Sequence, residues 1–307
     1  MKEMETNQGT DTMVHEFIDL AREGKNEWWR WLLGLCIVLF VWLGSGFILG
    51  MVLVVWALVD DDPNTYIDAA TSSVKGLDAI ITYIAFNLGH AVMVVVLFLV
   101  TRQVHGRRFL SLITPLARIR WGRVAGSFGW WFGLSAVITL IDYLLYPSTY
   151  KVTLDPVRFL IFVPIALVLT PLQTTGEELF FRGYVMQGLG LFTRNSVVLA
   201  TTVGVLFMVP HLLNPEVMSG FIPMATYYFG VGFFLAFVTL KSNSLEYALG
   251  IHGATCLFSA LVTNYENSVM PTESIFYCSV LNPWNNLIYF AVMVLIFSVV
   301  TFRQGRK

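Results

Sequence analysis

Residues 31–58 contain no charged side chain and no proline. A run of that length exceeds the roughly 20 apolar residues needed to cross the hydrocarbon core of a bilayer. Backbone N–H and C=O groups find no water to bond in lipid, so such a run must be helical. Comparable apolar runs recur at 77–100, 124–146, 159–181, 196–209, 221–240, 245–262 and 287–302. The sequence therefore predicts an all-α, polytopic transmembrane helix bundle of about eight spans. Charged residues make up 13% of the 307 and hydrophobic ones 56%, against roughly 25% charged in soluble domains. An ordinary soluble fold is excluded. The net charge of −1 and the lack of a long basic block exclude nucleic acid as a partner, which leaves the lipid bilayer and whatever sits in it.

Basic residues test the span count, because they collect on the cytoplasmic side. With eight spans and both termini cytoplasmic, all but Lys75, Lys151 and Arg158 of the 19 lysines and arginines fall inside. Asp60, Asp61, Asp62, Asp155, Glu216, Glu266 and Glu273 gather outside. Residues 1–27 form a polar cytoplasmic segment that carries His15 but lacks the short apolar run of a secretory signal. They are expected to stay, as a short surface helix. Trp28, Trp29 and Trp31 mark the first membrane interface. Three N-terminal helices occupy 28–150 and five more occupy 151–307. Cys36, Cys256 and Cys278 have neither metal-type nor paired spacing and read as buried apolar thiols.

Chemistry enters at Gly176-Glu177-Glu178-Leu179-Phe180-Phe181-Arg182. An ionisable group at a membrane helix centre costs at least about 2.5–3.5 kcal/mol, and three within six positions require partners or a purpose. Glu178 and Arg182 stand four apart with the acid first, the order that favours an ion pair on a helix. Glu177 points about 100° away and is left without a counter-charge, which makes it the candidate general base. Two histidines also lie in apolar runs. His211 follows Phe207 by four residues, and His252 stands between Gly250 and Gly253, whose small size admits a neighbouring helix. A glutamate and two histidines from three helices can activate a water and stabilise an oxyanion, or they can hold zinc.

Other polar residues read as architecture. His90, near Asn87, is assigned a structural role, Asp78 and Asp142 are placed at solvated span ends, and the 24 phenylalanines are assigned to the lipid face and interface. Pro164 and Pro171 are expected to kink the fourth span, and Pro210 ends the fifth. One conflict stands out: straight helices put Glu177 near the inner end of its span and His211 near the outer end of the next. It resolves if the fourth helix continues from Phe181 through Leu191, or if Pro171 and Pro210 break these spans; the former is expected, with a cavity open to the cytoplasm or laterally to lipid.

Glu177-Glu178-x-x-x-Arg182, Phe207-x-x-x-His211 and His252, in this order, resemble the motif set of the CPBP family, also called Abi. That family includes the CAAX prenyl endopeptidases and the bacteriocin-processing and self-immunity proteins. The resemblance covers residues 159–262, within the last five spans, and implies a multi-pass protein of a bacterial cell membrane with intramembrane endopeptidase activity on a membrane-associated or lipidated protein or peptide. Glu177 matches the acid that activates water, His211 its partner, and His252 the histidine that steadies the oxyanion, with Glu178 and Arg182 in support. Many members carry asparagine four residues after that histidine; Cys256 stands there in this chain. The implied mechanism is metal-free and needs no cofactor, the alternative being zinc held by Glu177, His211 and His252. A non-catalytic self-immunity or scaffold protein is the second reading, and a proton-coupled transporter the third.

Overall fold

The computed structural model describes residues 16–60, 62–68 and 73–303. Lys2, His15, Asp61, Arg306 and Lys307 lie outside the described residues. The helices are α1 (Glu16–Asp19), α2 (Trp28–Val59), α3 (Ala79–Leu99), α4 (Trp121–Leu145), α5 (Pro156–Glu178), α6 (Met186–Leu189), α7 (Ser196–His211), α8 (Phe221–Ser242), α9 (Glu246–Leu261) and α10 (Pro283–Arg303). Among the described residues, six helical runs are long and apolar enough to cross a membrane: Trp28–Val59, Ala79–Val104, Trp121–Leu145, Pro156–Leu189, Phe221–Ser242 and Pro283–Phe302. The chain is an all-α polytopic bundle. The fifth and seventh apolar runs become α7 and α9, of 16 residues each, about 24 Å long and shorter than the hydrocarbon core.

Side-chain caps place the helix starts. Asp78 caps α3, Asp155 caps α5 with Pro156 in its first turn, and Asn195 caps α7, each side chain accepting two backbone N–H bonds. The fourth span continues beyond its apolar limit. After Glu178 the backbone passes through a π-helical stretch, Leu179–Val185, into α6. Pro164 and Pro171 lie inside α5 without ending it.

Close helix contact runs through glycine. α9 lies along α4, and a Cβ added at Gly250 would stand 2.0 Å from Ser127 Oγ and 2.3 Å from the Val124 carbonyl oxygen. α7 lies along α8 in the same way, with Gly232 against Gly204. Helix α2 is peripheral, its Phe40 and Phe47 exposed where lipid would lie. The assignment of phenylalanine to the lipid face holds only in part, because Phe162, Phe180, Phe181 and Phe207 are buried. The cysteine reading also needs correction: Cys278 is buried, Cys256 half-buried, and Cys36 exposed on α2.

The two ends of the bundle differ. One carries Arg120, whose guanidinium bonds the buried Glu246 carboxylate at 2.6 Å, and Arg107, which donates to Leu20 O and Gln187 Oε1. The N-terminal segment docks at this end. Although polar overall, it buries Phe17, Ile18, Leu20 and Ala21, and the Phe17 N–H donates to Asn243 Oδ1 at 2.9 Å. It is a packed clamp more than a surface helix. The other end carries the short strands β1 (Tyr66–Asp68), β2 (Ser73–Lys75), β3 (Tyr150–Val152), β4 (Thr263–Tyr265) and β5 (Phe276–Cys278). β1 pairs antiparallel with β2, while β5 pairs antiparallel with β3 and parallel with β4. Arg158, at this end, bonds Asp78 and Glu273. Asp142 accepts bonds from Tyr150 and Tyr289 at 2.7 Å. Neither aspartate is left to solvent alone.

Candidate active site

The long fourth helix resolves the mismatch in depth. Glu177 lies 12 residues, about 18 Å, before Leu189, and His211 lies 15 residues, about 22 Å, after Ser196. The chain turns back between Leu189 and Ser196, so α5 and α7 bring the two side chains to a common level. Glu177, His211 and His252 line one cavity of about 570 Å³.

Glu178 and Arg182 are both fully buried and form the ion pair that their spacing predicts, at 2.8 Å. Arg182 reaches further, donating to the Gly232 carbonyl on α8 at 3.0 Å and lying 4.6 Å from the Phe207 ring centroid. The same Oε1 of Glu178 accepts from His252 Nδ1 at 2.8 Å. This bond fixes the His252 ring so that Nε2 faces Glu177, 3.9 Å from Oε2. The pair therefore ties α5 to α8 and α9 and aims the histidine. Arginine is well suited to a buried pairing because its planar guanidinium is weakly hydrated and can serve several acceptors at once.

Glu177 is not the free acid that helix geometry suggests. Gln173 donates to its Oε1 at 3.1 Å, and His90 Nε2 lies 3.5 Å from the same atom. His90 comes from α3, where its Nδ1 lies 3.2 Å from the Phe86 carbonyl one turn back. With Nδ1–H donating there, Nε2 is directed at Glu177. The structural assignment of His90 is incomplete, since the residue touches the candidate base. Its sequence neighbours, apolar apart from Asn87, give no signal of this; only the packing of α3 against α5 does. Gln173, one helical turn before Glu177, could have been found by its i, i+4 spacing.

His211 sits at the last turn of α7. Its Nδ1 lies 2.7 Å from the Phe207 carbonyl, and its ring stacks on Phe207 with centroids 4.4 Å apart. Tyr228 covers it, with ring centroids 4.7 Å apart, and the Tyr228 hydroxyl donates to the buried Glu216 at 2.5 Å. The second ring nitrogen, Nε2, is left for the cavity. Cys256, one turn beyond His252, lines the same cavity, as do Tyr83, Asn214 and Tyr265. Among the described residues no group of three His, Cys, Asp or Glu is placed to hold a metal ion.

The cavity opens on an unexpected side. Three of its lining residues are exposed: Tyr146, Val280 and Asn282. All three lie at the end that carries the strands β3, β4 and β5. The floor beneath Glu177 is closed by the buried Phe180, Phe181 and Arg182. The expected opening is to the cytoplasm or laterally to lipid; at the arginine-rich end the side chains that follow Glu177 on its own helix are buried.

A charged pair clamped inside a helix bundle, a carboxylate with histidines beside it, and a cavity reaching them from the surface make a buried polar centre within an apolar bundle. Residues 156–258 are similar to the family "Type II CAAX prenyl endopeptidase Rce1-like", which is the CPBP family. The chain is also 29% identical over 248 residues to "Uncharacterized protein YyaK" of Bacillus subtilis (strain 168), covering 80% of this chain and 82% of that protein. No solved structure gives a significant match. With its apolar helices and this bacterial relative, the protein is a multi-pass bacterial membrane protein. His90 lies outside the matched segment.

Proposed function

We propose that this chain is an intramembrane endopeptidase that hydrolyses a peptide bond of a membrane-associated protein or peptide with water activated by Glu177. The observation that carries the reading is the convergence of Glu177, His252 and His211 on one cavity, with Glu178 and Arg182 locking the geometry. A water held between Glu177 and His211 loses a proton to the Glu177 carboxylate as its oxygen bonds the scissile carbonyl carbon. The carbonyl oxygen becomes an oxyanion that accepts from Nε2–H of the His252 imidazolium, whose Nδ1–H is held by Glu178. On collapse the C–N bond breaks, and the proton held by Glu177 passes to the leaving nitrogen. The products are a new carboxylate and a new amine. Gln173 holds the carboxylate in the orientation this transfer needs, and His90 adds to that hold as the imidazolium, with Nδ1–H on the Phe86 carbonyl and Nε2–H facing Glu177.

The full topology belongs to the same reading: eight spans, α7 and α9 included, with both termini cytoplasmic. It is supported by Arg107, Arg118, Arg120 and Arg194, in segments joining the helices at one end, and by Arg123 and Lys241 in the terminal turns of α4 and α8 at that end, whereas Arg158 at the other end is neutralised by Asp78 and Glu273. The second reading, a non-catalytic immunity or scaffold protein, is favoured by one observation. Cys256 supplies a thiol, a weak donor, at the position where an amide would assist the oxyanion.

The test compares membrane-protein termini by mass spectrometry between cells expressing the wild type and cells expressing Glu177→Gln at matched levels. New termini found only with the wild type are expected. Identical termini, with both proteins folded, would overturn the catalytic reading in favour of the second.

A further inference from the structure

The side of the membrane from which the cavity opens restricts what this centre can cut. We infer that the substrate is a peptide segment presented on the extracytoplasmic face, threaded down to Glu177 through a mouth of tyrosine and asparagine side chains. The inference rests on the endopeptidase reading for its chemistry and on the charge asymmetry of the two ends for its direction.

Three observations carry it. The exposed lining residues, Tyr146, Val280 and Asn282, lie at the end with few cations, and the positive-inside rule places that end outside. The opposite end is sealed. Below the cavity, Arg182 fills the space between α5 and α8, and Arg120, Ser244 and Glu246 close the space between α4 and α9 with bonds of 2.6–3.0 Å. Third, the passage is long. His252 stands six residues, about 9 Å, above Glu246, whereas Asp142 stands 22 residues, about 33 Å, above Arg120, the residue bonded to Glu246. The path from centre to mouth is therefore roughly 24 Å, which takes about seven residues of extended chain.

The wall states what kind of segment fits. No lysine or arginine lines the cavity, and its carboxylates are Asp142, Glu177 and Glu216. Tyrosines and asparagines supply hydrogen-bonding groups without fixed charge along its upper part. Such a wall accepts an extended chain with neutral or basic side chains and rejects an acidic one. A carboxyl terminus anchored in the cytoplasmic leaflet would arrive at the sealed end.

The test places single cysteines by Asn282→Cys at the mouth and Arg118→Cys at the arginine-rich end, exposes intact protoplasts to a membrane-impermeant maleimide, and reads labelling at each position by peptide mass spectrometry. Val280→Cys is the second mouth variant, used if Asn282→Cys does not fold. Labelling of the mouth position in intact protoplasts, and of position 118 only after permeabilisation, is expected. The reverse pattern would overturn the inference. In cells that pass the termini comparison, cleavage sites are expected in extracytoplasmic segments, and a bulky maleimide adduct at the mouth is expected to lower cleavage at least tenfold. Cleavage confined to cytoplasmic segments would overturn the inference while leaving the endopeptidase intact. No cleavage by either protein would remove the endopeptidase, and the labelling would still decide which side the cavity faces.

Discussion

Removing Arg182 should be far more costly than its single ion pair suggests, and the structure explains why. Its guanidinium is fully buried and bonds Glu178 on its own helix and the Gly232 carbonyl on α8. Arg182→Leu leaves the Glu178 carboxylate buried with His252 as its bonded partner, and leaves the Gly232 carbonyl without the arginine. Breaking one half of a buried pair costs about 3–5 kcal/mol because an uncompensated charge remains, a factor of roughly 10² to 10³ or more in the folded-to-unfolded ratio. Glu178→Leu leaves the reverse charge and should cost about as much. The double variant Glu178→Leu/Arg182→Leu carries neither charge, and its loss reduces to the bonds of His252 and Gly232, about 1–3 kcal/mol each. The double variant should therefore lose less than the sum of the singles by about 2 kcal/mol or more. Unfolding by a denaturing detergent titrated into mixed micelles, followed by tryptophan fluorescence, measures all three against the wild type. Losses that add to within about 0.5 kcal/mol would refute the claim that charge compensation, and not helix packing, makes Arg182 indispensable.

Three further predictions follow from other contacts. His90→Ala should lower kcat by up to about 10²-fold with little change in KM and should shift the pH profile of cleavage, because misplacing a catalytic group by about 1 Å suffices for such a loss; an unaltered profile with normal kcat would return His90 to a packing role. Gly250→Ala forces a methyl group into Ser127 and the Val124 carbonyl, so α4 and α9 must part at a cost of about 1–3 kcal/mol, measured as a lower midpoint in the same detergent titration, and His252 moves with α9. His105, at the clamp end, is fully buried, and desolvation lowers its pKa from 6.5 to about 4. Below pH 6.5 the unfolded chain takes up a proton that the folded one refuses, so stability is full above that pH and falls by about 3 kcal/mol as the pH drops to about 4; His105→Gln, examined by thermal unfolding across that range, should flatten the slope.

Much of this molecule could be read from residue type and spacing alone. Each of the eight longer helices, α2 to α5 and α7 to α10, appears as an apolar run, since a chain in lipid has no other way to satisfy its backbone. The pairing of Glu178 with Arg182 follows from a local rule, that side chains four apart on a helix face each other, and the small residues around His252 mark a close helix contact. The continuation of the fourth span from Glu178 to Leu189 was less visible, because the π-helical stretch is polar enough to end an apolar window at Arg182.

Tertiary structure alone decided the surroundings of the acid and the direction of the cavity. Glu177 looks unpartnered along its own helix, and its partners His90 and His252 come from α3 and α9, 87 and 75 residues away in sequence. The seal beneath it is made by Arg182 bonding α8 and by Arg120 bonding Glu246, contacts between helices whose order in space no periodicity encodes. A hydrophobic pattern fixes which residues leave water, because that depends on each residue and its near neighbours. Which buried groups then meet depends on how the helices divide the same interior, and that is settled by close packing at sites such as Gly250 and Gly232, where a single methyl group would not fit.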